Sequence, residues 1–205
     1  MGQYYLAVLE MEKGKPIVQN NYTKENSKSE KQYTYLKLLE HSWWENPYVT
    51  GIAKRIYNKI GRIAWVGDYA DNITDEIKSY DNEVCKLSTS EVWQGKNKKT
   101  KPFVMSPKNF TLNNKVFINH SRKEFIDLEK YFNLSVSDDG WCINPVSLMT
   151  AIGNNQGGGD YYDKYVNFEY VGRWCYDLLE IKNKDIFISN GYKEIEVYFK
   201  DEVIA

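Results

Sequence analysis

The chain has 205 residues, and its 27 Lys plus Arg against 28 Asp plus Glu leave a formal net charge of -1. A chain of this length can bury most of its apolar surface in one core, and from the balanced total charge no large footprint for duplex nucleic acid is expected, a local basic patch aside. No uninterrupted apolar run approaches the roughly 20 residues that span a bilayer, so no membrane partner is expected.

The pattern predicts a strand over Gln3 to Leu9, a turn at Lys13-Gly14-Lys15-Pro16 and a returning strand at Ile17 and Val18. Asn20 to Lys31 is polar and reads as a loop. Leu36, Leu39 and Trp43 share one face of a helix predicted from Tyr33 to Trp44, with Leu38 widening the stripe. Asn46-Pro47 has the composition of an N-cap followed by proline in the first helical turn. The helix it opens carries Val49, Ile52, Ile56 and Ile60 on its apolar side and stops at Gly61.

Arg62 to Gly67 reads as a short buried strand, followed by a possible helix around Asp75 to Leu87. Lys96, Lys98, Lys99 and Lys101 lie among Gln, Asn and Thr as a solvated loop would, ahead of an irregular Pro102 to Phe110. Lys115 to His120 and Glu124 to Leu128 form a predicted hairpin around Ser121-Arg122-Lys123. Asp139-Gly140 is a turn, and Pro145 to Ile152 a short helix. Arg173 to Ile181 and Tyr192 to Phe199 alternate as a terminal antiparallel pair joined near Asn190-Gly191. The expectation is one α+β domain over residues 1–205, mainly antiparallel, with flanking helices.

Gly153-Asn154-Asn155-Gln156-Gly157-Gly158-Gly159-Asp160 is the most informative stretch, because consecutive glycines have no packing use inside a helix or strand. Bare backbone amides can converge on an anion or admit close approach, and Tyr161 and Tyr162 offer flat faces beside them. The run lacks the Lys-Ser or Lys-Thr of a P-loop and the GxGxxG spacing of dinucleotide folds. Arg122 and Arg173 could pair with phosphate oxygens. The expected ligand-binding set is therefore Gly157, Gly158, Gly159, Asp160, Asn119, Arg122, Asp68, Tyr69 and Arg173.

For catalysis the candidates are His120 as acid or base, with Asp68, Asp71 and Asp160 positioning groups. His120 in this string is equally a solvent-facing hairpin tip, and the aspartates equally close turns. No GxSxG elbow is present. Glu40, His41, Asp68, Asp71, His120 and Asp160 have ligand chemistry but no recognised ligand spacing, so no metal is assigned and the cofactor is left open. The three cysteines, Cys85, Cys142 and Cys175, are odd in number and widely spaced, which fits a reduced, cytoplasmic setting. Aromatic residues make up 15% of the chain, serving cores, interfaces and ring-stacking pockets alike.

Met-Gly-Gln-Tyr-Tyr, Glu40-His41-Ser42-Trp43, Val66-Gly67-Asp68-Tyr69-Ala70-Asp71, Asn119-His120-Ser121-Arg122-Lys123 and the glycine run together resemble an uncharacterised family of small proteins from bacteria and their phages. That resemblance implies that these stretches gather at one site, and a phage setting would favour interference with a host defence. The expectation is a binding protein for a nucleotide-like or phosphorylated small molecule, in a phage one that sequesters a host immune signal. A hydrolase or transferase acting on such a molecule is the alternative, and a protein-binding inhibitor of a defence effector is the third.

Overall fold

The two Asn-Pro pairs show how local chemistry starts this fold. Asn46 Oδ1 accepts from the backbone N–H groups of Tyr48 and Val49 at 2.9 and 3.2 Å, and Asn144 Oδ1 accepts from Val146 N at 3.0 Å. Each caps a helix whose first residue is proline, the position where a missing N–H costs nothing.

The computed structural model describes residues 4–13, 17–20, 36–67, 101–102, 110–152, 161 and 168–198. Among them the elements are β1 (Tyr5–Glu10), β2 (Ile17–Asn20), α1 (Leu38–His41), α2 (Pro47–Arg55), β3 (Arg62–Gly67), β4 (Lys101–Pro102), β5 (Lys115–Asn119), β6 (Glu124–Asp127), α3 (Leu128–Ser135), α4 (Pro145–Thr150), β7 (Ala151–Ile152), β8 (Leu179–Asn183) and β9 (Lys193–Glu194), with 3-10 turns at Phe168–Tyr170 and Lys184–Ile186. The fold is α+β, built on two mixed, mostly antiparallel sheets ordered β4-β2-β1-β3-β7 and β8-β5-β6-β9.

The β1–β2 hairpin forms as its sequence predicts, pairing Val8 with Val18 antiparallel. β3 crosses the full length of β1 from Tyr5↔Gly67 to Glu10↔Arg62. β7 joins β3 in parallel with Val66 opposite Ile152, so the segments after Gly67 and Ile152 start from the same end of that sheet. The glycine run 153–160, Asp68, Tyr69, Asp71, the predicted helix near 75–87 and the lysines at 96–99 lie outside the described residues, whereas Lys101 enters β4 as an edge strand.

One continuous apolar cluster joins both sheets, including Ala7 and Trp65 from the first and Phe117, Ile126 and Ile181 from the second. Gly172 ties the late chain to it. Its φ is +69°, and a Cβ there would stand 2.3 Å from the Ala151 carbonyl oxygen. That close approach lets Gly172 N donate to Leu148 O at 3.0 Å and Trp174 N to Met149 O at 2.8 Å.

Three expectations are corrected. Among the described residues the helix predicted from Tyr33 to Trp44 covers only Leu38–His41, because Leu36 instead exchanges backbone hydrogen bonds with Tyr5 at 2.8 and 3.2 Å. Its other end stops where Ser42 Oγ donates back to Leu38 O at 2.6 Å. α2 ends before Gly61, since Asn58 N and Gly61 N donate to Ile181 O and Leu179 O at 2.8 and 2.9 Å. Asn58 takes φ +53° and Ile60 is left half exposed, off the apolar face assigned to it. Finally, the two late segments do not pair with each other. β8 runs antiparallel to β5 and β9 parallel to β6, on opposite edges of one sheet, with Arg173 to Asp177 in turns.

Candidate functional site

The predicted β5–β6 hairpin forms with Asn119 opposite Glu124, so His120 joins the turn instead of ending the strand as expected. Side chains of a strand alternate faces, so Phe117 and Asn119 share the core face while Ile118 looks to the other. Around the hairpin end the chain gathers a polar constellation on each face.

On the core face, fully buried Asn119 donates from Nδ2 to Asp177 Oδ2 at 2.7 Å, and Arg122 Nε donates to the same oxygen at 2.8 Å. Asn119 Oδ1 accepts from Arg122 N at 3.0 Å, fixing the turn in which Lys123 takes φ +54°. Beside it Glu124 receives Arg173 Nη2 at 2.7 Å and Trp174 Nε1 at 2.9 Å. Arg173 Nη1 also reaches Glu169 at 3.1 Å. Burial works to raise the Glu124 carboxyl, but the hydrogen bonds from Arg173 and Trp174 outweigh it and hold the group below its ordinary value. The indole of Trp174 packs edge-on against Phe117 with ring centroids 4.9 Å apart, so these charges seal one end of the core.

On the opposite face His120 is clamped between two partners. Its Nε2 lies 2.9 Å from Glu180 Oε2 and its Nδ1 lies 2.7 Å from Tyr192 Oη. A carboxylate only accepts, so the neutral ring places its proton on Nε2 and takes the Tyr192 hydroxyl proton at Nδ1. Glu180 is buried and also holds Lys182 Nζ at 3.2 Å. Tyr192, with Phe187, packs over Val116, Ile118 and Phe125. Both ring nitrogens are therefore engaged within the chain.

The sequence-nominated residues Asn119 and Arg122 do meet, on Asp177, and Arg173 joins them through Glu124, on which both arginines act. Gly157, Gly158, Gly159, Asp160, Asp68, Tyr69 and Asp71 lie outside the described residues. Tyr161, expected to offer its face to a ligand, is instead a core anchor: it is fully buried, with its hydroxyl 2.6 Å from Ser42 Oγ and 3.1 Å from Ser147 Oγ. Among the described residues no three His, Cys, Asp or Glu side chains converge to hold a metal ion. His41 Nδ1 sits 3.2 Å from Lys37 O and Glu40 pairs with Lys37 at 2.9 Å, which are helix-end contacts.

A second site escaped the sequence reading. A cavity of about 450 Å³ opens between Trp43, Trp44, Phe132 and Trp141, with Glu45, Asn113, Gly140 and Cys142 completing its described lining. Two short chain segments build it by pairing through one antiparallel bridge, Trp43 opposite Ile143. Trp44 N donates to Cys142 O at 2.7 Å, Asn144 N to Ser42 O at 2.7 Å, and Asn144 Nδ2 to Trp44 O at 3.1 Å. α3 fixes the inner wall, for Trp44 lies 5.0 Å from Phe132 and stacks on Tyr131 at 6.2 Å between centroids. The turn 137–141 presents Trp141, whose N–H donates to Ser137 Oγ at 3.0 Å and whose carbonyl accepts from Ser137 N at 2.8 Å. Gly140 supplies the positive φ of +84° that this turn needs.

The cavity is chemically quiet. Burial pushes the Cys142 thiol up to about 12, so it stays protonated and is no nucleophile near neutrality. Trp43, by contrast, is 39% exposed, which is unusual for so large an apolar ring and leaves its face accessible. The sequence signal that could have found this site is the coincidence of Trp-Trp-Glu just ahead of one Asn-Pro cap with Gly-Trp-Cys ahead of the other. Two similarly capped helices whose leading segments pair bring those six residues together.

No protein-family model, curated protein or solved structure matches the chain. No helix among the described residues is long and apolar enough to cross a membrane.

Proposed function

We propose that this protein is a noncatalytic binding protein for a small molecule bearing a flat, nucleobase-like ring, seated in the tryptophan cavity. The observation that carries the reading is the cavity's wall of Trp43, Trp44, Phe132 and Trp141 around about 450 Å³. That volume falls in the range of small-molecule sites, which are mostly apolar with a few polar groups to fix orientation. Aromatic side chains stack on a planar ring with substantial gain and little loss of side-chain freedom.

The ring part of the sequence expectation gains more support than its phosphate part. Arg122 and Arg173, the guanidinium groups nominated for phosphate, already face Asp177 and Glu124. An anion arriving there would meet guanidinium groups whose charge a carboxylate already balances. The hydrolase or transferase alternative is weakened in the same way, because neither nitrogen of His120 is open to a substrate.

The test is titration of the purified protein with purine and pyrimidine nucleosides, followed by tryptophan fluorescence and calorimetry, with mass spectrometry of the recovered ligand. Saturable quenching that Trp43→Ala weakens by about 10-fold or more, with the ligand recovered unchanged, is expected. Absence of binding across the panel, or recovery of a converted product, would overturn the reading.

A further inference from the structure

Resting on the ring-binding reading above, we infer that the ligand's ring carries a permanent positive charge, as an N-alkylated nucleobase does. The cavity's described lining holds one charged side chain, Glu45, which is exposed and makes no hydrogen bond or ion pair among the described residues. No described Lys or Arg lines the cavity. A carboxylate beside aromatic faces repels phosphate and attracts a cation.

The aromatic walls act in the same direction. A ring face carries negative charge density, and tryptophan binds cations over its face best among the side chains. Elsewhere in this chain aromatic faces meet internal cations. Lys115 Nζ lies 5.3 Å from the Tyr57 ring and 5.6 Å from Phe110, and the Arg62 guanidinium lies 5.7 Å from Tyr176. No described Lys or Arg stands over Trp43, whose ring is 39% exposed, so that indole and Glu45 together leave a negative site for a cation from outside. A ring both flat and cationic uses the stacking walls and the carboxylate at once. Neutral nucleosides use the walls alone, and nucleotides add a phosphate that Glu45 disfavours.

Guanosine and 7-methylguanosine, compared by calorimetry at pH 6, where the methylated ring is a cation, separate these terms. Tetramethylammonium tests charge without a ring. The expected result is 7-methylguanosine binding about 10-fold tighter than guanosine, as one strong cation–aromatic contact provides. Tetramethylammonium should compete weakly. Glu45→Gln, an exposed and nearly isosteric change, should shrink that preference to about 3-fold or less. Equal affinity for the two nucleosides, or a preference that survives E45Q, overturns the charge inference and leaves ring binding standing. Failure of both nucleosides to bind removes the ring-binding reading and the charge inference with it.

Discussion

At the end of the β5–β6 hairpin, Arg122 and Arg173 each meet a carboxylate within 2.8 Å, whereas the tryptophan cavity keeps a partly exposed indole and an exposed Glu45 with no ion pair among the described residues. The hairpin end has the residue types usually sought in an active site, yet its hydrogen-bonding capacity is directed inward. The cavity has the residue types usually assigned to a core, yet they face an empty volume. Charged residues thus pair with one another in one region, and aromatic residues line a cavity proposed to bind a ligand in the other.

The largest expected effect tests the structural role of the hairpin end. Asp177 is 8% exposed and serves both Arg122 and Asn119, so Asp177→Ala should lower stability by about 3 kcal/mol or more, read as a fall in Tm. If D177A kept its Tm and gained affinity for inorganic phosphate at Arg122, the hairpin end would be a ligand site and the contrast would fail.

Next comes the cavity. Trp141→Ala should reduce nucleoside affinity by at least about 10-fold, and Trp43→Ala should do the same with a stability change within about 1 kcal/mol because that ring is 39% exposed. Loss of affinity only in proportion to unfolding would make both tryptophans structural.

Acid sensitivity sharpens the comparison further. The Glu124 carboxyl is held below its ordinary 4.5 when folded, so its contribution is complete above that pH and is lost as pH falls through the lower folded value. Asp127, which caps α3 and pairs with Lys184, is likewise held down, against burial that works to raise it. Denaturant melts between pH 6 and pH 3 should therefore show a declining acid limb that Glu124→Gln flattens. Nucleoside affinity measured over pH 5 to 6, above both windows, should not follow that limb.

The smallest effect concerns the His120 clamp. Tyr192→Phe removes one hydrogen bond to Nδ1 and should cost about 1 kcal/mol with no change in ligand affinity. A larger change in binding than in stability would connect the two regions.

Much of the fold was legible because it rests on neighbours in sequence. A β-prone run gave β1, a short buried apolar run β3 and paired runs around a polar turn the β5–β6 hairpin, while Asn46-Pro47 gave the start of α2 and Pro145 that of α4. The start of α1 and the stop of α2 were not legible, since the chain finds β1 as a partner just before the one and β8 just after the other, and periodicity carries no record of a distant strand. For the same reason β8 and β9, which alternate like a hairpin, separate to opposite edges of a sheet whose centre was already filled by β5 and β6.

The candidate residues divide in the same way. Asn119, His120 and Arg122 were visible as a polar cluster at a turn, but their partners stand far along the chain: Asp177 at 58 and 55 residues, Glu180 at 60 and Tyr192 at 72. Whether such side chains are poised or already satisfied depends on those partners. The sequence by itself determined the α+β class, the β5–β6 hairpin and the capped starts of α2 and α4, because strand propensity, turn chemistry and capping act over a few bonds. Only the tertiary structure decided that the arginines are neutralised and that four aromatic rings stand around an open volume, because charge pairing and cavity formation depend on which distant segments the folded core brings within a few ångströms.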